Sequence, residues 1–121
     1  MPKKHILIVE DDFDNTNLLR LLLESNNYTV TSASDGQEGL KITKCERPDL
    51  IVLDLDMPVL DGWGMIKQLR QNNSTEDIPI VVVTAHLMAN ERDKVLEAGG
   101  NGYICKPFKI ADLIAEIESC L

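Results

Sequence analysis

Four short apolar runs punctuate the chain: Ile6-Leu-Ile-Val9, Leu50-Ile-Val-Leu53, Ile80-Val-Val-Val83 and Tyr103-Ile-Cys105. The first three carry no polar alternation. Continuous β-branched runs of this length suit strands covered on both faces, the habit of parallel sheets. The segment Tyr28-Thr-Val-Thr-Ser-Ala33 does alternate, and reads as an edge strand. Helical spacings fill the intervals. Asp14 to Ser25 carries Leu18, Leu19, Leu22 and Leu23, and Trp63 to Gln71 carries Ile66 and Leu69. Ala89 to Ala98 carries Val95 and Leu96, then stops at Gly99-Gly100, a glycine C-cap signal. Asp35 followed by Glu38 has the spacing of an N-cap with its capping box. The last segment sets Ile110, Leu113, Ile114, Ile117 and Leu121 on one stripe. The order is β-α repeated five times. It predicts an α/β, three-layer, doubly wound fold with a parallel sheet, right-handed crossovers and helices on both faces.

The length fits one domain, since 121 residues run without repeat, low-complexity tract or Gly/Ser/Pro linker. With 44% apolar and 26% charged residues the composition is that of a folded globular chain. A net charge of −8 argues against direct binding to polyanionic nucleic acid. No apolar run approaches the roughly 20 residues that cross a bilayer. The Met1-Pro-Lys-Lys-His start meets acids directly after Ile6–Val9, which is not a signal peptide. Cys45, Cys105 and Cys120 lack C-x-x-C spacing and read as free thiols of a reducing cytosol, with Cys105 a small buried core residue.

The polar residues that follow the apolar runs change the picture. In a doubly wound sheet every strand ends on the same edge, where ligands bind. After the first run come Glu10, Asp11 and Asp12; Asp54 follows the second, Thr84 the third and Lys106 the last. Each has an ordinary structural reading. Asp12 or Asp14 can cap the first helix, Thr84 can bond its own backbone, and Lys106 can be a solvated lysine. Asp54, however, abuts a buried run, where an unpartnered charge is costly. Clustered carboxylates repel unless a cation intervenes, and Mg²⁺ is the usual hard cation where a few carboxylates and a phosphoryl group complete its shell. Phosphoryl transfer needs positioning, charge neutralisation and an in-line nucleophile. Asp54 can be that nucleophile, with Asp11 and Asp12 on Mg²⁺ and with Lys106 and the Thr84 hydroxyl on the phosphoryl oxygens.

Together these residues resemble the receiver domain of two-component response regulators, of the stand-alone chemotaxis-regulator type. The resemblance covers essentially the whole chain. It rests on Asp11-Asp12, on Asp54-Leu-Asp-Met-Pro-Val-Leu-Asp-Gly62, on Thr84-Ala85 and on Gly102-Tyr-Ile-Cys-Lys-Pro-Phe108. It implies a flavodoxin-like (βα)5 fold with strand order 2-1-3-4-5. It implies Asp54 as phosphoacceptor, with Mg²⁺ held by Asp11 or Asp12, Asp54 and the backbone carbonyl of Asp56. Thr84, Ala85 and Lys106 would bind the phosphoryl group, Thr84 and Tyr103 would form the switch, and the bond before Pro107 would be cis. The phosphodonor would be a sensor histidine kinase or a histidine phosphotransfer protein. The output would be a protein contact through the face of the last two helices and the fifth strand. The implied protein is cytoplasmic, binds neither DNA nor membrane, and is a monomer or a weak phosphorylation-dependent dimer. It would catalyse only its own Mg²⁺-dependent phosphorylation and dephosphorylation. Residues 1–121 are expected to form one receiver domain without an output domain, although a receiver excised from a longer protein would read the same.

Gly100 and Asn101 depart from the Ala and Asp usual in the family, in a loop. Asp56 and His86 stand where the family tunes phosphate lifetime. Trp63 reads as a half-buried aromatic at a helix start. Other classes compete. Asp54-Leu-Asp56 mimics the D-x-D of haloacid-dehalogenase-type phosphatases, but follows the third strand rather than the first. A flavodoxin-like flavin binder would need a Ser/Thr/Gly-rich phosphate loop where Glu10-Asp11-Asp12 stands. A receiver stripped of its chemistry would lack site residues that are all present here.

Overall fold

The computed structural model describes residues 3–55, 61–85 and 90–121. Among these, β1 (Lys4–Val9), β2 (Tyr28–Ala33), β3 (Leu50–Asp54), β4 (Ile80–Thr84) and β5 (Gly102–Cys105) alternate with α1 (Phe13–Ser25), α2 (Gly36–Cys45), α3 (Gly62–Gln71), α4 (Glu91–Ala98) and α5 (Ile110–Cys120). All strand pairs are parallel, in the order β2-β1-β3-β4-β5. The alternating segment Tyr28–Ala33 is an edge, as its pattern predicts, and the short β5 is the other edge.

The period of two along each strand divides the core into two layers. Leu7, Val9, Ile51, Leu53, Ile80 and Val82 pack with Met65, Ile66 and Leu69 of α3 and Val95 of α4. Ile6, Ile8, Leu50, Val52, Val81 and Val83 pack with Leu19 and Leu23 of α1 and Leu113 and Ile117 of α5. Both faces of the central strands are therefore buried, which is why their sequences show no polar alternation.

Short polar side chains start three helices. The carboxylates of Asp12, Asp35 and Asp61 accept from the backbone N–H of Asn15, Glu38 and Gly64. The first cap is thus Asp12 rather than Asp14. The capping box at α2 is half made, because the Glu38 carboxylate accepts from the Ser34 hydroxyl at 3.0 Å. α4 ends at Gly99 with φ 116°, a left-handed turn that favours glycine. The Ala89 start expected for this helix lies outside the described residues. Arg70 ties the two sides of this end together. Its Nε and Nη2 donate to the Gly99 carbonyl at 2.9 and 2.8 Å, and its Nη1 donates to the Glu76 carbonyl at 2.8 Å.

Cys105 departs from the sequence expectation. It is half-buried rather than part of the core, because β5 is an edge strand and its end is open to the rim. Trp63 is half-buried at the start of α3 and packs on the α3/α4 layer. Among the described residues, no helix is long and apolar enough to cross a membrane.

Candidate functional site

The connections reverse direction between β1 and β3, and the carboxyl ends of β1, β3, β4 and β5 meet along one rim. Val9 pairs with Leu53, so the residues that follow them, Glu10 and Asp54, stand side by side. Asp54 keeps the parity of Leu50 and Val52 and so belongs to the α1/α5 side of the sheet. Glu10, one residue beyond β1, continues the parity of Ile6 and Ile8 and is only 4% exposed.

Glu10 is a buried acid of the rim, held from two sides. Its Oε1 accepts from Asn15 Nδ2 at 3.0 Å and lies 3.6 Å from the Lys106 ammonium. Carboxylate oxygens of Glu10, Asp11 and Asp54 all lie within 4.8 Å of one another. Burial, and then the hydrogen bond to Asp54, push the Glu10 carboxyl up to about 7 from its usual 4.5, while Asn15 and Lys106 act in the opposite direction. Two carboxyl groups that share a hydrogen bond need a proton or a cation between them. The donor set is all oxygen and anionic, which fits Mg²⁺ and not a soft metal.

The two acids of the expected pair, Asp11 and Asp12, lie differently. Asp12 caps α1: its Oδ1 accepts the Asn15 N–H at 3.0 Å, and its backbone carbonyl accepts the Thr16 hydroxyl at 2.9 Å. Among the described residues, the carboxylates that converge with Asp54 are those of Glu10 and Asp11. The signal for Glu10 was available, since it stands directly after an apolar run just as Asp54 does.

On the other side of the sheet, Thr84 is fully buried at the end of β4, with Ala85 exposed beyond it. Thr84 pairs with Cys105, and its carbonyl accepts the Lys106 N–H at 2.8 Å, extending the ladder to the lysine. Lys106 is held at the rim by that bond, and the Lys106–Pro107 peptide is cis. Tyr103 pairs with Val82 and packs on the α3/α4 layer, the side to which Thr84 also points by parity. Its hydroxyl donates to Glu91 Oε1 at 2.8 Å and accepts from the Cys105 thiol at 3.3 Å. Glu91, the first residue of α4, is 6% exposed. Burial first, and then these two bonds, hold the Tyr103 phenol well above its usual range. Asp56 and His86, with the Met57–Leu60 part of the motif, lie outside the described residues.

The profile of the response regulator receiver domain matches residues 6–118. The chain belongs to this family. Receivers are phosphorylation-activated switches of two-component systems, and they generally bind Mg²⁺ through acidic residues. This receiver is 42% identical over 121 residues to the probable transcriptional regulator ycf27 of Porphyridium aerugineum, covering 100% of the chain and 49% of that protein. It is 42% identical over 116 residues to the response regulator MprA of Mycobacterium ulcerans, covering 96% of the chain and 49% of that protein. The receiver therefore spans about half the length of these relatives. It superposes on a putative response regulator from Chloroflexus aurantiacus with a TM-score of 0.92 at 31% identity, covering 98% of this chain and 97% of the other. For the chemotaxis protein CheY4 of Vibrio cholerae the TM-score is 0.91 at 26% identity, with 98% and 99% covered.

Proposed function

We propose that Asp54 is the phosphoacceptor of this receiver and that Glu10, Asp11 and Asp54 hold Mg²⁺ beside it. The observation that carries this is the convergence of these carboxylates within 4.8 Å, with Lys106 3.6 Å from Glu10. Bound there, Mg²⁺ supplies the charge neutralisation that lets a phosphoryl group approach. An Asp54 oxygen attacks the phosphorus of a phosphohistidine in line, so the O–P bond forms as the P–N bond breaks and its electron pair returns to the imidazole. Lys106 provides the fixed cation of the site, and Thr84 with the Ala85 backbone provides donors for phosphoryl oxygens. Asp12 serves by capping α1 and so fixing the loop that carries Asp11.

The donor on this reading is a sensor histidine kinase or a histidine phosphotransfer protein. The output is a protein contact at the α4-β5-α5 face, read through Thr84 and Tyr103. The receiver acts in the cytoplasm, without itself contacting DNA. It catalyses only its own phosphorylation and dephosphorylation.

The test is incubation with acetyl phosphate and Mg²⁺, followed by intact mass. One phosphoryl group is expected on the wild type and none on Asp54→Asn. An undiminished addition to Asp54→Asn would mean that another residue is the acceptor, and sustained hydrolysis of phosphate esters would point to a phosphatase.

A further inference from the structure

Asn15 stands three residues after the cap of α1, with its own N–H bonded to Asp12. At that helical position a side chain often reaches back to the cap's backbone. Asn15 reaches further, and its Nδ2 donates to Glu10 Oε1 at 3.0 Å. A carboxylate only accepts hydrogen bonds, so the nitrogen end of the amide faces it. The same oxygen lies 3.6 Å from Lys106 Nζ, beyond hydrogen-bonding distance. Asn15 therefore grips Glu10 more closely than the lysine does.

The grip matters because of Glu10's company. The carboxylates of Asp11 and Asp54 lie within 4.8 Å of it, like charges that repel unless a proton or a cation intervenes, and a glutamate has three torsions with which to turn away. A neutral amide opposes that turn without cancelling negative charge. A second lysine or an arginine in the same place would compete with the cation for the carboxylate. The amide sits on a helix whose start is fixed by Asp12 and whose inner face is buried through Leu19 and Leu23, so its origin is rigid.

We propose that Asn15 is a positioning residue for the metal centre: its amide fixes the Glu10 carboxylate in the orientation in which Glu10, Asp11 and Asp54 share one divalent cation. This rests on the reading that those three carboxylates hold Mg²⁺.

The experiment is a MgCl₂ titration of the unphosphorylated protein, followed by the fluorescence of Trp63, the chain's one tryptophan. Trp63 adjoins Gly62, which lies against the Asp54 carbonyl. Asn15→Leu keeps the size and removes the donor, and Asn15→Ala is measured beside it in case the larger side chain disturbs the helix. Asn15→Gln keeps an amide on a longer arm. Both donor-less variants are expected to weaken Mg²⁺ binding about tenfold, the effect of one hydrogen bond to a charged group. In EDTA both should unfold as cooperatively as the wild type, with midpoints lowered by no more than the loss of that one hydrogen bond, and Asn15→Gln should recover part of the affinity. In a Glu10→Gln background Asn15→Leu should change the affinity less than twofold, since no carboxylate is left to position. Wild-type affinity in the folded donor-less variants would overturn the proposal while leaving the metal reading intact. Absence of any Mg²⁺ response in the wild type, by fluorescence and by calorimetry, would overturn both.

Discussion

Replacing Glu10 by Gln should stabilise this receiver in the absence of metal, and the gain should depend on pH in a defined way. The folded protein holds the Glu10 carboxyl at about 7, against an ordinary value of 4.5. Between those two values the folded state binds more protons than the unfolded state, so stability falls as pH rises through the window. Below about 4.5 the group is protonated in both states and contributes nothing of this kind. Above about 7 the full penalty is present. At 1.36 kcal/mol per pH unit the difference comes to about 3 kcal/mol. Gln is isosteric, retains an oxygen for Asn15 Nδ2 and adds a donor toward Asp54, so the geometry is kept while the charge is removed. At roughly 4 °C per kcal/mol for a domain of this size, the melting temperature in EDTA at pH 8 should rise by about 10 °C.

The assay is urea unfolding of both proteins in EDTA at pH 5, 6, 7 and 8. The wild type's own slope mixes many carboxylates, so the informative quantity is the difference between the two proteins. It should be small at pH 5 and reach its plateau near pH 8. With saturating Mg²⁺ the order should reverse, because the cation removes the repulsion from the wild type and binds the variant poorly. A difference that is constant from pH 5 to pH 8 would refute the claim that Glu10 is a strained buried acid.

Three further outcomes follow from the packing. A Cβ on Gly62 would lie 2.6 Å from the Leu55 Cα and 2.7 Å from the Asp54 carbonyl oxygen, both backbone atoms. Gly62→Ala should therefore cost about 2 kcal/mol or more in urea unfolding and slow phosphorylation of Asp54, and an unchanged midpoint would contradict this. Arg70→Ala strips donors from the Gly99, Glu76 and Thr75 carbonyls and from the Asn101 side chain. It should cost about 2–3 kcal/mol and speed hydrogen exchange at the end of α4, so a loss below 0.5 kcal/mol would mean that water replaces it freely. Thr84→Ala should still accept a phosphoryl group at Asp54 yet bind its protein partner as weakly as the unphosphorylated form does. A full phosphorylation-dependent gain in that variant would move the output to another face.

Much of this was legible in the residues, and for a physical reason. A strand covered on both faces must be apolar at every position, so β1, β3 and β4 announced themselves, and so did the residue that ends each of them. Asp54, Thr84 and Lys106 stand out in this way as residues at the strand ends. Glu10-Asp11-Asp12 offers three acids in a row, and only the three-dimensional turn decides which caps the helix and which converges with Asp54. Glu91 left no signal at all. It is an acid at the first turn of a polar helix, where solvation or the helix dipole is the ordinary explanation, and its burial depends on Tyr103 arriving from a strand 12 residues away.

The parity of the strands places the rim residues on two sides of the sheet. Asp54, and Glu10 and Lys106 beyond the strand ends, belong to the α1/α5 side, where Asn15 holds the acid that faces the lysine. Thr84 and Tyr103 belong to the α3/α4 side. The two sides meet in the β4–β5 ladder, at the bond from the Lys106 N–H to the Thr84 carbonyl. Helix α4 carries a described contact at each of its ends. Its C-terminal end is pinned through Gly99 by two donors of Arg70. At its N-terminal end Asn90 has φ 67° and gives no side-chain cap, and the Glu91 carboxylate accepts from the Tyr103 hydroxyl. A change at Thr84 that altered the space for Tyr103 would act on α4 through Glu91, at the end opposite to Gly99. On the proposed reading of Thr84 and Tyr103 as the switch, a phosphoryl group can bias it only by as much as it favours one Thr84 arrangement over the other.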